Sequence, residues 1–453
     1  MALDLSRRQF GKLMAGTGAS AAFLQLGRTA AIAAPVAGYK AMVGIFLFGG
    51  NDGWNMVVPN DARFAGYAAS RGTVALTQSS LVPLAGSAYG LNAALQPLQQ
   101  IWNEGSLNLV LNAGTLYQPL TKAQYQSSPL LRPVNLMSHA DEQAHWQGLR
   151  ARDINVDGFL GRLNDRAAAT TLPGLISFNG TQLAVLGKTS SPLVLPSTGT
   201  VVQNAATGNS ADPAVFARNS AISAFADGSS YGTVTKTTGA GISSAYAQAS
   251  TANTILASTS STVDQYFVRP GTTTALTSDI SRQLLRVARM IEARSTLGQA
   301  RQTFFTAQGG YDTHANEAPT QTALYTDLAQ AMLAFYNAMK ALGLNENVTA
   351  FTMSDFGRVY KGNAQNGTDH AWGNNHLVMG GALKSKMVYG TYPSTTLGSS
   401  DDITGDGRFL PTISQEQYLG PIAAWQGVAS ADMPYVFPNW ATFSGNTLGL
   451  FQG

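Results

Sequence analysis

The run Lys40-Ala41-Met42-Val43-Gly44-Ile45-Phe46-Leu47-Phe48, followed at once by Gly49-Gly50-Asn51-Asp52, decides the architecture. A short apolar stretch that stops at a glycine pair is the pattern of a strand buried on both faces of a parallel sheet. Leu107–Asn112, Gln302–Ala307 and Val348–Met353 repeat it, each ending in a polar, glycine-containing segment. Helical patterns precede the last two. Ile280–Arg294 sets Leu284, Leu285, Ala288 and Ile291 on one face, and Thr320–Leu342 does so with Leu324, Leu328, Met332, Phe335 and Met339. Helices alternating with apolar strands predict an α/β fold, a central, mostly parallel sheet flanked by helices. Chemistry in such sheets gathers beyond the carboxyl ends of the strands.

The chain has 453 residues, of which 44% are hydrophobic and only 12% charged, with 47 glycines and no cysteine. That is ample for a large core and excludes wholesale disorder and cysteine chemistry. The formal charge of +3 comes from the N-terminus, where Arg7, Arg8, Lys12 and Arg28 stand against Asp4. Without residues 1–33, 24 bases face 24 acids, and no basic tract suggests a nucleic acid or an anionic membrane as partner. Residues 185–275 differ in texture, being rich in Ser, Thr, Ala and Gly. They read as a low-charge insertion or cap, with alanine-rich helices around Ala221–Ala226 and Ala245–Leu256 as one form it can take.

Ser6-Arg7-Arg8-Gln9-Phe10-Gly11-Lys12 has the form of a twin-arginine export motif. A weakly apolar stretch from Leu13 to Leu26 follows, then small residues at Ala31-Ile32-Ala33 that suit cleavage. The expectation is a signal peptide at 1–33, one α/β domain over 34–453, and a periplasmic or extracellular protein, exported folded, without a stable membrane anchor.

The five histidines fall in three clusters. His139 and His145 lie in Ser138-His139-Ala140-Asp141-Glu142-Gln143-Ala144-His145-Trp146, and His314 ends Gly309-Gly310-Tyr311-Asp312-Thr313-His314. His370 and His376 lie in Gly367-Thr368-Asp369-His370-Ala371-Trp372-Gly373-Asn374-Asn375-His376. Neutral imidazole beside carboxylate suits zinc, manganese or iron, whereas oxygen-only sets suit magnesium or calcium. A hydrogen-bonded polar network would use the same residues. After the first strand, Gly49–Asn55 can point Asn51 and Asp52 into the strand-end crevice, or form a turn with an Asx cap. After the strand at Val348–Met353, Ser354-Asp355-Phe356-Gly357-Arg358 offers a metal-binding carboxylate and an anion-fixing guanidinium, or a buried Asp–Arg pair. Tyr117, Trp146, Trp372 and Trp425 are crevice or core aromatics. Asp402–Gly407, with Asp401 and Glu416 nearby, reads as a solvated acidic loop rather than a calcium site.

In order along the chain, GGNDGWNMVVP (Gly49–Pro59), LMSHADEQAHWQ (Leu136–Gln147), GGYDTH (Gly309–His314), SDFGR (Ser354–Arg358), GTDHAWGNNHLVMGGAL (Gly367–Leu383) and a tail from Gly407 resemble the exported DUF1501 family. The resemblance implies an alkaline-phosphatase-like fold of the phosphatase/sulfatase superfamily, with one or two divalent ions in a crevice; the imidazole and carboxylate donors point to zinc or manganese for them. It further implies Asp52 as a ligand after the first strand, Ser138 as nucleophile, Asp312 and His314 as one ion's pair with His370, and Asp355 at a second ion. Phe356 stands where that superfamily usually has a histidine, leaving Asp369 or His376 to substitute. The absence of cysteine excludes sulfatase chemistry of the cysteine-derived formylglycine type.

The function expected is metal-dependent hydrolysis of a phosphate or sulfate ester, small or polymer-borne. Ser138 would attack, Arg358 would hold the non-bridging oxygens, and His139 or His145 would protonate the leaving group. The alternative is a non-catalytic envelope or extracellular binding or assembly protein on a hydrolase-like scaffold.

Overall fold

The computed structural model describes residues 38–167, 170, 172–201, 212–227 and 233–452; the export segment expected at 1–33 lies outside them. The run that opened the reading is β1, Lys40–Leu47. Along it, Ala41, Val43, Ile45 and Leu47 enter one hydrophobic cluster while Met42 and Phe46 enter another. That period of two is the pleat, and because both faces are covered the strand reads as continuously apolar.

Among the described residues the central sheet has nine strands: β1, β2 (Leu107–Gly114), β3 (Leu175–Ser177), β4 (Leu193–Val194), β5 (Arg301–Gln308), β6 (Val348–Ser354), β7 (Asn374–Met379), β8 (Val388–Tyr389) and β9 (Ile413–Ser414). Their order is β8-β2-β7-β6-β1-β5-β3-β4, with β9 also pairing β2. β1 runs parallel to both β5 and β6, while β7 is antiparallel to its neighbours β6 and β2. The fold is therefore α/β with a mixed, largely parallel sheet. The reversed β7 was hidden in the sequence inside a histidine-bearing motif.

Register places the future site. Leu47 lies opposite both Gln308 and Ser354, so β1, β5 and β6 end together. Because β7 is reversed, its first residue, Asn374, meets Ala113 near the end of β2. The segment preceding β7, which holds Asp369 and His370, thus reaches the same edge as the loops that follow the parallel strands.

Helices cover both faces. On one side lie α5 (Asp279–Glu292) and α6 (Glu317–Ala341), whose Leu284, Val287, Ile291, Leu328, Met332 and Phe335 join the first cluster. On the other lie α1 (His139–Gly148), α2 (Phe159–Asp165) and α7 (Gln415–Gln426), which contribute Trp146, Leu160 and Leu419 to the second. Ser414 caps α7 with a reciprocal Ser414–Gln417 box, which satisfies two end donors. The Ser/Thr/Ala-rich middle forms α3 (Pro213–Asp227) and α4 (Thr233–Leu256), and Ala252 and Leu256 of α4 pack into the first cluster. Within its first part, β4 pairs in parallel with β3 at the edge of the central sheet.

One crossing ties the strand-end loops together. The Gly357 N–H donates to Trp372 O (3.0 Å) and the Ala371 N–H donates to Gly357 O (2.9 Å). A Cβ on Gly357 would overlap the carbonyl oxygen of Gly373. Gly357→Ala is therefore expected to lower stability by about 1–3 kcal/mol or more, read as a lower urea midpoint. Unchanged stability would show that the two segments part without cost.

Candidate metal centre

Asp312 stands at the middle of the strand-end edge. The chain reaches it from β5 through Gly309–Tyr311, and the turn after β1 packs against that segment: Gly49, at φ 114°, lies so close that a Cβ there would overlap Asp312 N. Only glycine adopts that φ without strain and leaves that space. Around Asp312 Oδ1 lie His314 Nε2 at 3.1 Å, His370 Nε2 at 3.3 Å and His139 Nε2 at 3.4 Å. His314 Nε2 and His370 Nε2 are 2.9 Å apart. The ligand atoms of His139, Asp312 and His370 all lie within 4.8 Å of one another.

Each imidazole has its other nitrogen facing oxygen. His370 Nδ1 donates to Met137 O (2.8 Å), His139 Nδ1 to Asp355 Oδ2 (2.7 Å) and His314 Nδ1 to Asp369 Oδ1 (3.2 Å). A carbonyl or carboxylate oxygen can only accept, so the shorter Nδ1 contacts assign the neutral imidazoles of His139 and His370 their proton at Nδ1. Their Nε2 lone pairs turn toward Asp312 Oδ1, whereas His314 meets a carboxylate at both nitrogens. His139 Nε2 is buried without a hydrogen-bond partner. The unprotonated Nε2 atoms of His139 and His370 beside the carboxylate form a donor set that a cation stabilises, as Arg358 Nη2, 3.1 Å from Asp312 Oδ1, does from one side. Donors at about 2.1 Å from a tetrahedral ion stand about 3.4 Å apart, close to the spacings found. The residues fit a divalent cation, with His139, Asp312 and His370 as the triad and His314 at its margin.

The surroundings tune these groups. Asp355 is fully buried behind His139, and its carboxylate also accepts from Gln143 Nε2 (2.8 Å) and the Gly49 N–H (3.2 Å). Its hydrogen bond to His139 raises that imidazole's pKa against the effect of burial. Burial lowers His370. Burial raises the Asp312 carboxyl, but Arg358, His314 and His139 outweigh it and hold it below the usual range. Phe356 packs against His139 and His370, ring centroids 4.8 and 4.6 Å away, so the ring at the superfamily's histidine position forms an apolar wall. The Arg358 side chain is fully buried, with Nη2 3.1 Å from Asp312 Oδ1. None of its nitrogens has an aligned hydrogen-bond partner.

Other expected site residues lie apart from the triad. The Asp52 carboxylate is fully buried, paired with Arg71 and accepting from the Trp54 N–H (3.1 Å). Arg71 also meets Glu317 (3.4 Å), whose other oxygen accepts from Thr313 Oγ1 (3.2 Å) and Thr368 Oγ1. Asp52 is thus tied to the network beneath the centre. Ser138 stands at the N-cap position of α1 without a side-chain cap bond, and its hydroxyl donates to Asp141 Oδ2 (2.6 Å). His145 and His376 are core residues, His376 lying against Trp146 and Tyr418. Trp146 and Trp372 are buried, Trp425 stacks on Phe451, and Tyr117 is exposed. Asp402 is buried rather than solvated, accepting from the Gly398, Thr404 and Gly405 N–H groups.

Sequence reading overlooked Gln143, Met137, Arg71 and Glu317. Gln143 had a signal, four residues after His139 and hence on the same helical face. Arg71 had none, because its partners are distant in sequence.

A DUF1501 family model, described as a protein of unknown function, matches residues 183–419, just over half of the chain. This chain is a DUF1501 protein. The match takes in the Asp312, Asp355 and His370 motifs and the Ser/Thr/Ala-rich middle, and stops short of the His139 segment. No curated protein matches it significantly. Among solved structures, Ps i-CgsB in complex with k-i-k-neocarrahexaose superposes at 10% identity over 90% of this chain and 77% of that one, with a TM-score of 0.37. A second structure of Ps i-CgsB gives 9%, the same coverage and 0.38. Superposition this loose carries nothing about substrate or mechanism.

Burial pushes His145 down to about 4 and His376 to about 3. Both stay neutral in the folded DUF1501 protein where the unfolded chain, titrating near 6.5, takes up protons. Stability from each is complete above about pH 6.5 and falls as the pH drops toward the folded value, by about 2 kcal/mol per histidine at about pH 5. The expected result is a shallower acid-side loss of urea stability in His376→Gln than in the wild type. Parallel curves would contradict it.

Proposed function

We propose that this DUF1501 protein is an exported, metal-dependent hydrolase of phosphate or sulfate esters on an alkaline-phosphatase-like scaffold. The observation that carries the reading is the convergence of three Nε2 atoms on Asp312 Oδ1, with the Nδ1 of each ring facing an oxygen. A divalent cation held there, zinc or manganese, supplies charge neutralisation to an ester oxygen. The Arg358 guanidinium, buried and without an aligned partner, suits the non-bridging oxygens of a tetrahedral ester through its planar fork. Ser138 is assigned as nucleophile, with its proton passing to Asp141, the acceptor it already faces. His139 turns its unpartnered Nε2 toward the centre, where it serves as ligand. Asp355, Asp369 and His314 complete the assignment, Asp355 and Asp369 by holding the Nδ1 protons of His139 and His314. Export rests on the twin-arginine motif at Ser6–Lys12. Among the described residues no helix is long and apolar enough to cross a membrane.

The test is elemental analysis of the mature protein together with turnover of phosphate and sulfate monoesters. About one equivalent of zinc or manganese is expected. Asp312→Ala and His370→Ala should lose it, with an effect beyond the ~10–100-fold of a residue that only supports a ligand. Ser138→Ala should keep metal and fold but lose turnover; retained turnover would move the attack to water. Arg358→Met should lower turnover by about 10²–10³-fold, and Arg358→Lys should not restore it. Bound metal without turnover of any such ester would favour the non-catalytic binding or assembly reading.

A further inference from the structure

We infer that Glu142 is a positioning residue of the centre, acting through the Met137 backbone to set the direction of the His370 Nε2 lone pair. The inference rests on the metal-centre reading above, yet Glu142 makes no hydrogen bond to a proposed ligand.

The turn before α1 is built from residues in an unfavourable backbone conformation. Asn135 has φ 49° and Met137 φ 69°. For a residue with a Cβ the left-handed region costs roughly 1–2 kcal/mol, so something must hold Met137 there. Its N–H donates to Glu142 Oε2 (2.8 Å), and its carbonyl accepts the His370 Nδ1 proton (2.8 Å). One peptide unit further on, Asp141 clips the same turn, accepting from Asn135 Nδ2 (2.9 Å) and Ser138 Oγ (2.6 Å). Two adjacent acids in the first turn of α1 thus fold the Asn135–Ser138 segment back on the helix. Only the Glu142 side leads to an imidazole.

Packing does not explain the carboxyl. Glu142 is fully buried, and its Oε1 has no hydrogen-bond partner. An unpaired buried oxygen costs stability that an apolar side chain in its place would spare. Its single side-chain hydrogen bond goes to the Met137 N–H. Without that bond Met137 is free to leave the left-handed region, its carbonyl turns, and the His370 Nδ1 proton loses the acceptor that selects the tautomer. Supports of this kind commonly govern metal affinity by ~10–100-fold.

The experiment measures zinc affinity by competition titration on the full-length protein, with cobalt(II) absorption and nitrogen NMR of the His370 ring. Glu142→Leu should weaken zinc about 10–100-fold, and Glu142→Gln, which keeps an acceptor, should stay within about threefold of wild type. Met137→Gly tolerates the turn without help, so Met137→Gly/Glu142→Leu should recover most of the loss. In the metal-free protein His370 should be Nδ1-protonated, becoming a tautomer mixture in Glu142→Leu. If that variant does not fold, Glu142→Asp, too short to reach Met137, carries the same expectation. A folded Glu142→Leu with wild-type affinity and an unchanged His370 tautomer would overturn the inference while leaving the metal centre standing. A wild-type protein that binds no zinc, but whose His370 tautomer depends on Glu142, would support the inference and overturn the metal centre.

Discussion

Three imidazole Nε2 atoms meet one carboxylate oxygen at the carboxyl end of the central sheet, and the surrounding arrangement follows from keeping them there. An imidazole presents a directed lone pair only if its other nitrogen is held. The holders are the Met137 carbonyl for His370, Asp355 for His139 and Asp369 for His314. Asp355 in turn is fixed by Gln143 and the Gly49 N–H. Ligands and supports together come from five separate stretches of chain, so the centre exists only when the ends of β1, β5 and β6, the segment before β7 and the start of α1 meet at one level.

Beneath it lies a second set of buried charges. Arg71 faces Asp52 and Glu317, and Glu317 accepts from Thr313 and Thr368. Those threonines are neighbours of Asp312 and His314 in one loop and of Asp369 in the other. The network therefore ties the two ligand-bearing loops together from below. Two buried carboxyls share one guanidinium there, and together with burial the nearby Asp52 charge raises the Glu317 pKa to about 8. Such a network is costly to break, because removing one partner strands another buried charge.

The outline of the fold was legible because it depends on local periodicity. β1, β2, β5 and β6 sit where the apolar runs lie, and α5 and α6 where the helical patterns lie, within a few residues. The reversed strand was not legible, since Asn374–Met379 begins with three polar residues and the side-chain bonds of Asn374 and Asn375 to Gly53, Asn112 and Phe356 form only in the fold. His139 and His145 share one motif but part company because six positions on a helix turn the face by about 120°. His139 reaches the strand-end edge and His145 the core. His370 and His376 part similarly, one before β7 and the other within it.

By itself the sequence determined the α/β layering, the edge of the sheet where polar residues gather, and the inventory of imidazoles and carboxylates available there. Each of these follows from spacing along the chain, which is a local property. Only the tertiary structure decided the role geometry gives each group. Asp52 meets Arg71, Asp355 stands behind His139, Ser138 faces Asp141, and Asp312 alone lies against all three Nε2 atoms. The reason is that a carboxylate's part depends on which cation or donor lies within about 3 Å of it, and here those partners come from segments far apart in the chain.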